Sequence, residues 1–290
     1  MTFDITHRTL YRYSQPVTVS QHAARVEPRT LAGQIVEDFS LRIDPAPPVR
    51  TTRDDYFGNR VCFFSIQEVH SRLEITAKSR VAVAAVTPPV LSLSPPWEKV
   101  VQLFTDPVSP EVVEPYEFVF DSPLLRAGVP LAAYARPSFT RGAPLLSAVQ
   151  DLNRRIHADF KYDRVATTVA TPLEEVMEKR RGVCQDFAHL AIACLRSLGL
   201  AARYVSGYLR TRPPDGKPAL LGADASHAWF SVFCPELGWV DFDPTNNLMP
   251  ETDHLTLGFG RDFGDVSPIS GILTGGGRHD VKVAVNVSVL

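Results

Sequence analysis

Over its first eighty-odd residues the chain alternates apolar and polar positions with the two-residue period of half-buried strands. Phe3, Ile5, His7, Thr9, Tyr11 and Tyr13 interleave with Asp4, Thr6, Arg8 and Arg12, and Phe39, Leu41 and Ile43 interleave with Asp38, Ser40, Arg42 and Asp44. Within 53–66 a turn signal, Phe57-Gly58-Asn59, precedes a run containing Cys62, Phe64 and Ile66, and Leu73, Ile75 and Ala77 begin another strand. Short strands separated by turn signals predict a small antiparallel β-sandwich over residues 1–86.

The character changes over 87–139. Prolines at 88, 89, 95, 96, 107, 110, 115, 123, 130 and 137 interrupt any long helix or central strand. Trp97, Phe104, Tyr116, Phe118 and Phe120 are too apolar for a free linker, so this connecting region is ordered in part. From 140 the period becomes helical. Leu145, Val149, Leu152 and Ile156 share one face of a helix opened by Pro144. Thr171-Pro172-Leu173-Glu174 predicts a second, with Thr171 as N-cap, a capping-box glutamate and an end at Gly182. A third carries Phe187, Leu190, Ala191, Cys194, Leu195 and Leu198 at helical spacing and stops at Gly199. Residues 203–209 read as a strand, and 228–234 with 239–243 form a hairpin around Pro235-Glu236-Leu237-Gly238. The segment 140–255 thus makes an α+β unit. A glycine-containing tail, 256–290, ends in a strand with valine at 281, 283, 285, 287 and 289.

Hydrophobic residues at 44% and charged residues at 21% are ordinary for a globular protein, and a net charge of −2 gives no pull towards nucleic acid or anionic lipid. No stretch reaches the roughly 18 uninterrupted apolar residues of a membrane helix, and the N-terminal segment lacks a signal-peptide core, so a cytoplasmic location is expected. The cysteines, Cys62, Cys184, Cys194 and Cys234, then read as free thiols. They form no CxxC pair, which argues against structural zinc.

The candidate chemistry centres on Cys184. It sits in RRGVCQDFAHL, in the first turn of the third helix, where the positive end of the helix dipole favours thiolate. Mid-helix Cys194 is the control, expected to be inert core, as are Cys62 and Cys234 in their strands. In SHAWFSVF, His227 starts a strand on the same face as Trp229 and is placed to exchange a proton with a thiol. His157 and His189 compete as histidines, but His189 is five residues beyond Cys184 and points elsewhere. GWVDFDPTN offers two acids, Asp241 and Asp243, either of which the hairpin can bring beside the histidine to fix its tautomer. The order Cys–His–Asp, with separations of 43 and 16 residues to Asp243, makes one coherent site. A metal site of His227, Asp241 and Asp243 lacks a further clustered ligand, so no metal or cofactor is expected.

The stretches TPLEEVMEKRRGVCQDFAHLAIACLRSLGLAARYVSGYL and SHAWFSVFCPELGWVDFDPTN resemble the bacterial transglutaminase-like proteins, a group described as candidate cysteine proteases. The β-rich start is similar to the N-terminal domain that precedes this core in the bacterial branch. The resemblance implies a papain-like α+β core with Cys184 as nucleophile, His227 as base and Asp243, the acid of the DPT element, as the orienting group. It implies acyl transfer on a peptide or protein amide, through a thioester resolved by water or by an amine. The backbone N–H of Cys184 is an expected oxyanion donor. Tyr162, by analogy with an aromatic donor, and Gln185 and Trp229 are further oxyanion or substrate candidates, while Asp186 more simply caps the helix. The family often carries an acid two residues after the tryptophan of HAW, where this chain has Ser231. Calcium dependence is not implied. Two rival readings share parts of the pattern. An arylamine acetyltransferase has the same Cys–His–Asp order but not HAW and DPT, and a scaffold or binding module could keep the fold without the chemistry. Substrate identity and oligomeric state are not legible.

Overall fold

The computed structural model describes residues 1–105, 110–210 and 226–290; Pro107 of the proline-rich region lies outside them. The N-terminal part comprises β1 (Thr2–Ala24), β2 (Gln34–Asp44), β3 (Val49–Asp54), β4 (Arg60–Ile66) and β5 (His70–Val83). The alternation seen over residues 3–13 belongs to a longer strand, because β1 continues for 23 residues. Its pairing with β5 shifts register between Arg12 and Val17. The turn between β3 and β4 uses Gly58 at φ 73°, where a side chain would be strained.

The chain then crosses to the second unit through α1 (Trp97–Thr105), α2 (Pro110–Tyr116) and α3 (Val129–Ala135). Among the described residues these helices span 9, 7 and 7 residues, with Pro115 inside α2 and Pro130 in the first turn of α3. The apolar residues of this region are core rather than linker, since Trp97 and Phe104 of α1 and Phe118 after α2 are buried in one cluster with the later helices. That unit continues with α4 (Leu145–Asp159), β6 (Lys161–Tyr162), α5 (Leu173–Lys179), β7 (Arg181–Gly182) and α6 (Cys184–Arg196). Then come β8 (Ala202–Leu209), β9 (His227–Cys234), β10 (Gly238–Phe242), β11 (His254–Gly260) and α7 (Phe263–Val266). The antiparallel sheet runs β10-β9-β8-β11, with α6 packed on β8 and β9. Every residue of α6 from Asp186 to Arg196 is buried, so the helix is covered all round and not only on its apolar stripe. Buried Arg196 is tolerated because its guanidinium donates to the carbonyls of Phe118, Ala202 and Arg261.

Finally β12 (Ile269–Gly275) and β13 (His279–Val289) return to the N-terminal unit and pair with β1. The terminal valine strand therefore belongs to the first sheet. β13 lies along the first half of β1 and β12 along the second, as β5 and β4 do on the opposite edge. The result is one curled antiparallel sheet whose two halves face each other. Leu41, Ile43, Leu73 and Ile75 share one buried cluster with Phe64 and Ile66, and all the strands belong to this one sheet where two separate sheets were expected. The two units touch through Phe3, Ile5, Val81, Val285 and Val287 against Tyr208, Leu255 and Leu257.

Two expected helix ends differ. α5 starts at Leu173 with extended Pro172 as its N-cap, and the Thr171 hydroxyl accepts from the Thr168 N–H, so no Thr171 capping box forms. The helix stops at Lys179, where Arg180 takes the left-handed conformation at φ 52°. Gly182 serves a different purpose: a Cβ there would lie 2.6 Å from Asp186 Oδ2.

Candidate active site

The chain enters α6 through Val183, whose extended backbone leaves its N–H to be taken by the Asp186 carboxylate at 2.8 Å. The Thr167 hydroxyl donates to the same oxygen at 2.6 Å. Burial outweighs these two hydrogen bonds and raises the Asp186 pKa. This clasp fixes the first turn of the helix and hence Cys184, which is partly exposed while the other three cysteines are buried. Burial pushes the Cys194 thiol up to about 12 and Cys234 up to about 11, as expected of inert core thiols.

His227 is the first residue of β9 and is 1% exposed. It donates from Nε2 to Asp243 Oδ2 at 2.8 Å. Its other nitrogen, Nδ1, is buried and makes no hydrogen bond of standard geometry among the described residues. Cys184 lines the same cleft and lies near enough to favour the protonated ring. Burial alone would lower the imidazole pKa, but Asp243, with Cys184 contributing less, reverses the effect and raises it well above the ordinary histidine value. Burial would likewise raise the Asp243 pKa. The charges and hydrogen bonds of His227 and His254 prevail and hold that carboxyl far below the usual range.

Asp243 is held by a tight loop rather than by the sheet. Its backbone pairs with Leu248, and Oδ1 accepts from the N–H groups of Thr245 at 2.9 Å and Asn246 at 3.2 Å. Oδ2 accepts from His227, from Asn246 Nδ2 at 2.7 Å and from His254 Nε2 at 3.1 Å. From α4, Asn153 donates to the Asp243 carbonyl and His157 bonds the Thr245 carbonyl. His157 is thus structural, and so is His189, which accepts from the Phe263 N–H.

Asp241 is engaged further along the same strands, not by the histidine. It accepts from Trp229 Nε1 at 3.0 Å and from the Ser231 hydroxyl. Ser231 at the position of the family's usual acid therefore leaves room for an acid on the neighbouring strand. Trp229 is fully buried and does not line the cleft, which removes it from direct contact with a substrate. It packs beside His227 with ring centroids 6.0 Å apart. Gly207 makes this possible, since a Cβ there would lie 2.2 Å from the tryptophan ring.

Cys184 and His227 open on a cleft of about 340 Å³ that Tyr162, Arg164, Gln185, Tyr204 and Phe263 also line. A larger concavity, about 700 Å³, lies on the N-terminal unit among charged side chains such as Arg8, Arg72 and Glu74, without a thiol or histidine. Size does not select the site; the chemistry does.

His254 and Asn246 went unnoticed in the sequence. Asn246 stands in the quoted DPTN element, where an Asx-type turn was the available signal. His254 carries no local signal, because β11 pairs with β8 and meets Asp243 only in three dimensions. His227, Asp243 and His254 also make a cluster whose ligand atoms lie within 4.8 Å of one another. The set of His227, Asp241 and Asp243, set aside as a metal site on the sequence, is not grouped in this way: Asp241 bonds Trp229 and Ser231 instead.

A partly exposed thiol at a helix start, sharing a cleft with a buried histidine that is bonded to a buried aspartate in the loop after the next strand, fits a transglutaminase-like fold. The chain belongs to the transglutaminase-like superfamily, in its bacterial branch. Residues 3–82 match the bacterial transglutaminase-like N-terminal region, and residues 132–244 match the transglutaminase-like superfamily core. An uncharacterized protein of Mycobacterium tuberculosis is 41% identical over 98% of this chain and 92% of its own length. A protein-glutamine gamma-glutamyltransferase of Pseudomonas aeruginosa is 30% identical over 38% of this chain and 19% of its own length. Among solved structures, a candidate cysteine protease from Cytophaga hutchinsonii superposes with a TM-score of 0.75 at 22% identity, covering 99% of this chain and 90% of that one. Members of this superfamily are mostly cysteine-dependent enzymes. Among the described residues no helix is long and apolar enough to cross a membrane.

Proposed function

We propose that this protein is a cysteine-dependent acyl-transfer enzyme acting on peptide or protein amides, with Cys184 as nucleophile, His227 as base and Asp243 as the group that orients the base. The observation that carries this reading is the buried bond from His227 Nε2 to Asp243 Oδ2, which leaves Nδ1 as the ring atom free to exchange a proton with the Cys184 side.

On this reading the reaction runs in two halves. Nδ1 takes the thiol proton, and the sulfur attacks the amide carbonyl carbon. The negative oxygen of the tetrahedral intermediate is met by the backbone N–H of Cys184, a first-turn donor without an intrahelical partner, and by Gln185 or Tyr162 at the cleft wall. Collapse breaks the C–N bond, Nδ1–H protonates the departing amine, and a thioester remains. Water or a second amine, deprotonated by Nδ1, then releases the acyl group. The named activity of the Pseudomonas relative supports the amide of a glutamine side chain as acyl donor.

The test is to incubate the protein with glutamine-containing peptide libraries, with and without a primary amine, and to follow products by mass. Products that require the thiol, absent in Cys184→Ala, support the proposal. Loss of ammonia alone marks hydrolysis and amine incorporation marks transamidation. Turnover of an acetyl-thioester donor onto an arylamine, lost in Cys184→Ala, would overturn the assignment of class.

A further inference from the structure

We infer that His254 is a positioning residue for the active site, and that the N-terminal domain, by holding the strand that carries it, sets the orientation of the Asp243 carboxylate. The inference rests on the triad reading above and extends it to residues outside the triad.

His254 stands at the start of β11, is 6% exposed, and bonds the same carboxylate oxygen, Asp243 Oδ2, as His227 does. An ionised carboxylate only accepts, so both imidazoles present Nε2–H to it. The ring of His254 is itself fixed edge-on to Trp229, with centroids 5.2 Å apart at 89°. Three side-chain donors, His227, His254 and Asn246, thus share one oxygen and define where it points.

β11 is held in turn by the N-terminal domain. It is the last strand of its sheet, with β8 on one side and no strand of its own sheet on the other. An open edge of this kind leaves backbone N–H and C=O groups to be satisfied. The N-terminal domain supplies them from two side-chain amides. Gln34 donates to the Thr256 carbonyl at 2.7 Å and accepts from the Thr256 N–H at 2.8 Å. Asn59 does the same for Phe259, at 2.9 and 3.0 Å. Each amide thereby imitates one residue of a neighbouring strand. Gly258 is the close-approach point, where a Cβ would lie 2.7 Å from Asn59 Oδ1. Gln34 and Asn59 are both nearly fully buried, at 4% and 2% exposure, so water cannot replace them cheaply. Thr256 is two residues from His254, and its register with Gly207 of β8 sets the height at which His254 meets Asp243. The chain of contact runs from Gln34 to β11, to His254, to Asp243 and to His227.

The experiment uses the full chain and a probe that needs no substrate: the second-order rate of Cys184 alkylation by iodoacetamide at pH 7, with thermal unfolding followed in parallel. His254→Ala is expected to slow alkylation roughly 10-fold, short of the 10²-fold that a 1 Å misplacement can cost. His254→Gln, which restores an N–H donor, should recover most of the rate. Gln34→Ala should slow the reaction in the same direction, and its effect should largely vanish when added to His254→Ala, as two members of one chain are non-additive. A folded His254→Ala protein that alkylates at the wild-type rate would overturn the inference and leave the triad standing. So would a glutamine variant no better than alanine, or a Gln34→Ala effect that is absent or fully additive. A wild-type Cys184 no faster than a cysteine in the urea-unfolded chain would instead overturn the triad reading and the inference together.

Discussion

Replacing Asp243 by asparagine exchanges one carboxylate oxygen for NH₂ and forces a choice that the surroundings decide. The carboxylate accepts from five donors among the described residues, three on Oδ2 and two on Oδ1. An amide has one oxygen, so its NH₂ must face one of these groups. The two donors at Oδ1 are backbone N–H groups of Thr245 and Asn246, which cannot adapt. Turning NH₂ towards them would orphan both, at about 1–3 kcal/mol each. The donors at Oδ2 are side chains: His227 and His254 can exchange tautomers and Asn246 can rotate. The amide oxygen therefore settles at the Oδ1 position and NH₂ at the Oδ2 position. His227 must then accept at Nε2 and carry its proton on Nδ1, facing the cleft, where it is useless as a base. Asp243→Asn is expected to fold, with stability lowered by no more than about 3 kcal/mol in urea unfolding. Its Cys184 has lost the imidazolium partner. With no base at Nδ1 to take the thiol proton, iodoacetamide alkylation should fall by about 10²-fold, and turnover by more, towards the ~10⁴-fold seen when a serine triad loses its tautomer control. An Asp243→Asn protein with wild-type alkylation and wild-type stability would refute the hydrogen-bond accounting.

Other outcomes follow from the same contacts. Gly207→Ala should destabilise by at least 1–3 kcal/mol, measured by urea midpoint, because its Cβ would meet Trp229 at 2.2 Å and the Leu255 carbonyl at 2.4 Å. Asp186→Ala should cost about 0.5–2 kcal/mol and slow Cys184 alkylation, since it frees the Val183 N–H and the Thr167 hydroxyl at the helix entrance. The His–Asp pair predicts a pH window. The raised His227 pKa contributes stability that is complete below the unfolded value of about 6.5 and declines as pH rises towards the folded value. The lowered Asp243 pKa contributes stability present above about 3.9 and lost as pH falls towards its folded value. The stability advantage of wild type over Asp243→Asn should therefore peak between about pH 4 and 6.5 and shrink on both sides. An advantage that keeps growing above pH 7 would contradict the assignment.

Much of this site is written in local patterns. The strand period of residues 3–13, the helix that begins at Cys184 and the hairpin carrying His227 and Asp243 all appear where alternation, glycine and turn residues put them. What stayed hidden is what tertiary contact decides. The proline-rich segment gives no long period, so its three short helices could not be read, although Trp97, Phe104 and Phe118 announced that it is packed. The capping box at Thr171 failed because the hydroxyl found a nearer partner in its own loop, at the Thr168 N–H. The choice between Asp241 and Asp243 cannot be made from spacing. It depends on the loop after β10 turning Asp243 back under His227, while Asp241 stays on the strand beside Trp229 and Ser231. His254 is eleven residues past Asp243 on a strand that pairs elsewhere, and only the folded sheet brings it to the carboxylate. The terminal strand had a clear period but no address, which the pairing of Val285 with His7 and Val287 with Ile5 supplies.

On the proposed mechanism one sulfur out of four is made reactive by the imidazole beside it. Limiting iodoacetamide at pH 7, followed by proteolysis and mass mapping, tests it directly. Cys184 should take essentially all of the label while Cys62, Cys194 and Cys234 take almost none, and His227→Ala should abolish that preference without unfolding the protein. Equal labelling of Cys184 in wild type and in folded His227→Ala would contradict the account.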